Sequence, residues 1–207
     1  MPTTAGAFPP DDARDDVAFL KTVIKTVDRL ACVDDDRVYA TGFSGGGRMS
    51  SALACELSDM IAAVAPVAGL RAGRPSPVDT SVPEIQDCTP TRPVPVITFH
   101  GDADLVNPLP GNGDLRWGYA VSVAVQTWAR LNRCQSGPAS TTVSEHVTLF
   151  SYGKCRDGAD VAYYRVTGGG HTWPGTSVDL SPLGHTTQEI NATQLMWQFF
   201  KAHPKRG

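Results

Sequence analysis

Apolar residues recur every three or four positions in four stretches of the chain, which is the spacing of one helix face. In the first stretch, Val17, Leu20, Ile24 and Val27 follow this spacing and predict an amphipathic helix that begins at Asp15. The other three stretches predict helices over 48–57, around 121–128 and over 187–202.

Short apolar runs between these helices predict buried β-strands. The predicted strands cover 37–41, 62–67, 94–99, 147–152 and 161–167. Because strands alternate with helices, we predict an α/β protein with a mainly parallel sheet and flanking helices. The sequence has no internal repeat and no linker between domains. Residues 1–14 are predicted to be an irregular lead-in, and residues 15–207 a single domain.

Composition narrows the classes of function. The 207 residues carry a net charge of −3, and 19% of them are charged. The basic residues are scattered, which argues against nucleic acid as a partner because phosphate binding uses clustered Lys and Arg. No apolar run approaches the roughly 20 residues that span a bilayer, so no membrane partner is expected. Neither G-x-G-x-x-G nor a Walker A sequence occurs, which argues against nucleotide chemistry.

The sharpest motif is G-x-S-x-G at 42–46, centred on Ser44, between a predicted strand and a predicted helix. A nucleophile elbow requires this context, because its sharp turn needs small neighbours and lifts the serine hydroxyl above the sheet. The next amide, that of Gly45, lies at a helix N-terminus, where negative charge is favoured. The alternative is a glycine-rich turn with an incidental serine.

A nucleophilic serine also needs an orienting acid, which follows the serine in chains with this elbow. Asp102 and Asp104 both come just after the strand at 94–99, at the sheet edge where sites of α/β proteins are built. Both qualify by position. Either could instead be an ordinary turn aspartate.

The candidate base comes later in the chain. His171 lies in a glycine-rich loop, 168–175, directly after a predicted strand. A loop histidine is often a surface residue, but the flanking glycines and a Trp-Pro bend favour a backbone shaped around this one. His100 ends a strand and is expected to have a structural role or to support the site residues. The remaining histidines are expected to face solvent: His146, His185 and His203.

Four segments resemble the polyhydroxybutyrate depolymerase/feruloyl esterase family, a group of α/β-hydrolases that includes acetyl xylan esterases. The segments are 37–44, 53–58, 65–69 and 169–175, within a resemblance that covers residues 15–202. The resemblance implies an α/β-hydrolase fold without cofactor or metal. It also implies that Ser44 is the nucleophile, Asp104 the acid and His171 the base. The implied oxyanion-hole amide is that of Gly45, at a position where the family usually has Asn.

The five cysteines show no metal-ligand spacing, and in a cytosolic chain each is expected to be a small buried side chain. The first residues lack the features of a secretory signal. The resemblance instead implies a secreted protein with Cys134–Cys155 and Cys32–Cys55 disulfides, and it leaves Cys88 without a partner.

The family has several strands ahead of the helix that begins at Asp15, and residues 1–14 are too few and too polar to supply them. The resemblance therefore implies a domain that is truncated at its N-terminus. Strand 37–41 would then be an exposed edge, and such an edge pairs readily with another chain. A homo-oligomer formed through this edge is one expectation.

The leading hypothesis is a serine-dependent carboxylic ester hydrolase that works through an acyl-enzyme. The implied substrates are small or polymeric esters: feruloyl or acetyl esters of polysaccharides, or polyesters such as polyhydroxybutyrate, aromatic polyesters included. The alternative is a weakly active or inactive hydrolase-like domain that binds esters or polymers, or that associates with itself.

Overall fold

The computed structural model describes residues 15–205, and the predicted lead-in over 1–14 lies outside the described residues. Six strands form one sheet in this part of the chain: β1 (Tyr39–Phe43), β2 (Ala63–Val67), β3 (Val96–Gly101), β4 (Ser136–Ser144), β5 (Val147–Gly153) and β6 (Val161–Val166). Four α-helices flank the sheet: α1 (Asp16–Leu30), α2 (Gly45–Glu56), α3 (Val121–Leu131) and α4 (Ala192–Ala202).

The strand order is β1-β2-β3-β6-β5-β4. Strands β1, β2, β3 and β6 pair in parallel, whereas β5 and β4 extend the sheet as an antiparallel hairpin. The predicted α/β class with a mainly parallel sheet and flanking helices is therefore confirmed. Strand β1 forms one edge of the described sheet.

Strand β4 has no counterpart among the predicted strands. It is rich in serine and threonine, and eight of its nine positions are exposed. Because neither face of β4 is buried, selection for apolar residues is absent, and no period-two pattern marks the strand. Its backbone pairing with β5 holds it in the sheet.

Side chains alternate between two apolar layers along each central strand, as the pleat requires. On one face, Val64 and Val96 pack in a core that includes α2 and α3. On the other face, Val67 and Phe99 pack against α4, with Phe200 from that helix. No helix within residues 15–205 is long and apolar enough to cross a membrane.

One of the two predicted disulfides is correct and one is wrong. The Cys134–Cys155 bond is present. Cys55 pairs with Cys88 instead of Cys32, and the Cα atoms of this pair are 4.6 Å apart. The reason is burial: α2 turns Cys55 into the core beside Cys88, whereas Cys32 follows α1 and is exposed.

Candidate active site

Ser44 occupies the turn between β1 and α2, where it is the N-cap of the helix. Its φ of 55° and ψ of −113° are strained for a residue with a Cβ, a feature that clusters at functional sites. The Ser44 amide donates to the Val67 carbonyl at 2.9 Å, which ties the turn to the end of β2. A Cβ on Gly42 would collide with the Gly46 backbone, so the turn requires glycine there.

The amide of Gly45 belongs to the first residue of α2. The first amides of a helix have no carbonyl partner within the helix, and the helix dipole makes this end partly positive. Ser44 makes no side-chain capping hydrogen bond, so its hydroxyl is not engaged in closing the helix. This end of α2 can therefore stabilise a negative oxygen close to Ser44.

Asp104 follows β3 and is buried, with both carboxylate oxygens engaged. Oδ1 accepts the amides of Val106 and Asn107, each at 2.8 Å. Oδ2 lies 2.7 Å from Nδ1 of His171. Because an ionised carboxylate only accepts hydrogen bonds, Nδ1 of His171 is the donor in this contact.

His171 reaches this carboxylate from the loop after β6 and is itself buried. Its amide donates to the Leu183 carbonyl at 2.8 Å, which fixes the loop. A Cβ on Gly101 would collide with the Gly169 carbonyl, so glycine at the end of β3 lets the loop approach. The imidazole lies 4.8 Å from the ring of Phe43, the residue before Ser44. The imidazole is thus held at the strand end that carries the serine.

The two aspartates that qualify by position have different partners. Asp102 binds the Arg165 guanidinium at 2.7 Å and accepts the Gly168 amide at 2.7 Å. It therefore ties the end of β6 to the start of the histidine loop. Asp104 alone of the two contacts the His171 imidazole.

His100 is buried beneath the same carboxylate. Its Nε2 lies 2.8 Å from the Asn107 carbonyl oxygen and 3.5 Å from Asp104 Oδ2. Burial lowers the pKa of His100 to about 4, so the ring is neutral at pH 7. It donates to a backbone carbonyl, which agrees with the structural role expected from the sequence.

Two further residues near this site carry no signal in the sequence. Asn107 donates from Nδ2 to the Ala68 carbonyl at 2.7 Å while its amide binds Asp104. Arg71 is fully buried, with its Cζ 3.2 Å from the centre of the Trp117 ring. Burial lowers the pKa of Arg71 to about 10, so it stays charged and helps to keep His100 neutral. Neither residue lies in a motif, and only their long-range contacts reveal them.

The fold and the arrangement of these residues define the structural class of the protein. The structure is an α/β-hydrolase fold, with Ser44, Asp104 and His171 following β1, β3 and β6 along one edge of the sheet. Their order in the chain is the one that this fold uses for its catalytic residues.

Curated relatives make the family resemblance specific. Feruloyl esterase B of Piromyces equi is 36% identical over 168 residues, which cover 76% of this chain and 29% of that protein. Feruloyl esterase C of Emericella nidulans is 32% identical over 192 residues, which cover 91% of this chain and 58% of that protein. The resemblance to feruloyl esterases is confirmed: the chain is similar to these relatives over 76% and 91% of its length.

A solved structure supports the fold alone. The acetyl xylan esterase from Aspergillus awamori superposes with a TM-score of 0.58 at 13% identity, over 89% of this chain and 67% of that one. No family model matches the sequence. The chain spans less than two thirds of the length of the curated relatives described above.

Proposed function

We propose that this chain is a serine-dependent carboxylic ester hydrolase in which Ser44, His171 and Asp104 act together. The contact between His171 Nδ1 and Asp104 Oδ2, at 2.7 Å and shielded from water, carries the proposal. It fixes the tautomer that a general base needs, and the imidazole lies at the strand end that bears Ser44.

In this mechanism His171 Nε2 takes the proton from Ser44 Oγ as that oxygen attacks the ester carbonyl. The amide of Gly45 stabilises the negative charge that develops on the carbonyl oxygen. His171 then gives the proton to the leaving alcohol, and an acyl-enzyme forms on Ser44. Water activated by the same imidazole releases the acid and restores the serine.

The names of the relatives support feruloyl or acetyl esters of polysaccharides as substrates. Polyesters such as polyhydroxybutyrate, and aromatic polyesters, are the wider part of the same proposal. Two disulfides, Cys55–Cys88 and Cys134–Cys155, support an extracellular location because such bonds persist in oxidising compartments.

The test is hydrolysis of p-nitrophenyl acetate by the wild-type chain, by Ser44→Ala and by the matched control Ser140→Ala on the exposed strand β4. We expect the Ser44 variant to lose the enzymatic rate and the control to keep it. Labelling of Ser44 by an active-site phosphonate, detected by mass spectrometry, is a second measurement. Equal rates for the wild type and Ser44→Ala would overturn the proposal.

A self-associating or binding domain is the second candidate function, and it is favoured by the edge of β1, which has no partner strand within residues 15–205. Helix α1, which packs against α2, exposes a row of apolar side chains at helical spacing, including Val23, Val27 and Leu30. An edge strand without a partner among the described residues, and an exposed apolar row, each suit pairing with a second copy. Light scattering after size exclusion tests it: a dimer without serine-dependent turnover supports this candidate, and a monodisperse active monomer excludes it.

A further inference from the structure

One buried arginine lies close to the candidate active site and has no hydrogen-bonded partner for its charge within residues 15–205. Arg71 belongs to the segment after β2 and is 1% exposed. None of its three guanidinium nitrogens makes a hydrogen bond in the described part of the chain. Burial of a charge without such a partner costs free energy, so the position calls for an account of what the charge does.

The packing around Arg71 fixes its position. Its amide donates to Ser51 Oγ on α2 at 3.1 Å, and its carbonyl oxygen accepts from Trp128 Nε1 on α3 at 2.8 Å. The guanidinium Cζ lies 3.2 Å from the centre of the Trp117 ring and 4.5 Å from that of the Tyr119 ring. Because aromatic faces attract a cation, these two rings hold the guanidinium in place.

Trp117 links this cation to His100. The rings of His100 and Trp117 are stacked, with centres 5.7 Å apart and an angle of 24° between their planes. Trp117 is itself fixed, because its Nε1 donates to the Pro108 carbonyl at 2.8 Å. The guanidinium of Arg71 therefore contacts the same aromatic ring as the imidazole of His100. Its positive charge disfavours a second positive charge on that imidazole.

The polar contacts of His100 suit its neutral form. Nε2 lies 2.8 Å from the Asn107 carbonyl oxygen, so Nε2 carries a proton and donates there. Nδ1 is buried and has no hydrogen-bond partner among the described residues. A protonated His100 would bury a second N–H group without an acceptor, which costs free energy. The contacts of His100 and the charge of Arg71 thus act in the same direction.

One carboxylate oxygen lies near both histidines. Asp104 Oδ2 is 2.7 Å from Nδ1 of His171 and 3.5 Å from Nε2 of His100. While His100 is neutral, its Nε2–H donates to the nearer Asn107 carbonyl, and Oδ2 is left to His171. A positive His100 would attract Oδ2, because hydrogen bonds between charged groups are stronger than neutral ones. It would then compete with His171 for this oxygen.

We propose that Arg71 is a positioning residue: its buried charge keeps His100 neutral, so that Asp104 Oδ2 remains paired with His171. The effect on ester hydrolysis rests on the proposed function, whereas the effect on His100 does not. Arg165, in register with His100 on β6, is compensated by Asp102. The other charged and titratable groups that act on this pair are Asp104 and His171 at His100, and Tyr119, Arg48 and Asp114 at Arg71.

The first experiment follows His100 itself, by NMR titration of the chain with isotope-labelled histidine, and His100→Gln identifies the signal. The wild-type pKa of His100 is expected at about 4. Arg71→Met removes the charge and keeps an unbranched side chain. It should raise the pKa of His100 by about one unit, the size expected for a charge one aromatic ring away. Arg71→Gln removes the same charge with a polar side chain and should give the same rise.

Arg74→Met is the matched control. It makes the same change three residues further along the segment, where Asp87 pairs with the guanidinium. Because that charge is already compensated, the pKa of His100 should stay at the wild-type value. Circular dichroism checks that each variant is folded. An unchanged His100 titration in the charge-removing variants of Arg71 would overturn the proposal, and so would an equal rise in Arg74→Met.

The second experiment measures kcat/KM for p-nitrophenyl acetate against pH. Its acid limb reports the coupled protonation of Asp104, His100 and His171. We expect Arg71→Met to move this limb to higher pH and Arg74→Met to leave it in place, whereas a loss of packing alone would lower kcat/KM equally at every pH. An acid limb that stays in place in Arg71→Met would overturn the positioning role. A His100 shift in a chain that hydrolyses no ester would refute the proposed function and leave the coupling of Arg71 to His100 standing.

Discussion

Two histidines in this protein contact a carboxylate through Nδ1 at nearly the same distance. His171 lies 2.7 Å from Asp104, and His146 lies 2.6 Å from Glu189. The side chains of the first pair are 4% and 0% exposed, whereas those of the second are 50% and 30% exposed. The same contact is therefore made once in the interior and once at the surface.

The surroundings of the two pairs give them different chemistry. Backbone amides hold the Asp104 carboxylate in one orientation, and the loop after β6 holds His171. The His146 pair joins the turn between β4 and β5 to the segment before α4. Solvent screens that pair, and exposed ion pairs contribute little to stability. The distance between a histidine nitrogen and a carboxylate oxygen therefore does not by itself distinguish a candidate catalytic histidine from a surface one.

The largest effect is expected from removing the charge of the buried carboxylate. Asp104→Asn should lower kcat for p-nitrophenyl acetate by about 10³–10⁴, because the amide no longer fixes the Nδ1–H tautomer. The matched surface change, Glu189→Gln, should leave kcat within about twofold, since exposed pairs contribute weakly. Circular dichroism controls for folding. Similar kcat losses in both variants would show that burial does not separate the two pairs.

A smaller effect is expected at His100, which lies by the same carboxylate as His171. His100→Phe leaves the buried Asn107 carbonyl without its donor, so the free energy of unfolding should fall by about 1–3 kcal/mol. Urea unfolding measures this loss, and His100→Gln should recover part of it because an amide can donate. A drop in kcat as large as that of Asp104→Asn would assign His100 a direct part in the reaction.

The smallest effect is expected from the surface pair, and it depends on pH. The hydrogen bond to Glu189 raises the pKa of His146 above its usual 6.5. The Ser144 side chain, followed by the amide and ring of His146, lowers the pKa of Glu189 from 4.5 to about 2.

The sign of each shift sets the pH window. The stability due to His146 is complete below pH 6.5 and is lost as the pH rises through its folded pKa. The stability due to Glu189 is complete above pH 4.5 and is lost as the pH falls toward 2. The Tm difference between wild type and Glu189→Gln should therefore be largest between about pH 4.5 and pH 6.5. A difference that increases above pH 7 would contradict this assignment.

Local sequence patterns predicted most of the fold. The helix predicted to begin at Asp15 begins one residue later, because the Asp15 side chain caps it by accepting the Ala18 amide. The closing helix is shorter than predicted and starts at Ala192, after the Asn191 side chain caps it. Boundaries of this kind depend on single hydrogen bonds, which periodicity does not record.

The elements that escaped prediction depend on contacts between distant segments. Strand β4 is held by its pairing with β5, and the Cys55–Cys88 bond joins a buried residue of α2 to a buried residue 33 positions later in the chain. His171 likewise contacts Asp104, whereas Asp102 is engaged by Arg165, and both contacts join distant segments.

The sequence by itself determined the candidate residues and their order: a serine in a glycine-rich turn, an aspartate after a strand and a histidine in a glycine-rich loop. These are local features, because residues that are close together in the sequence determine where turns and strand ends lie. The tertiary structure alone decided which aspartate meets the histidine, which histidine is buried and which cysteines pair. His171 and Asp104 are 67 residues apart in the chain. The pairing of β3 with β6 brings Nδ1 of His171 to 2.7 Å from Oδ2 of Asp104.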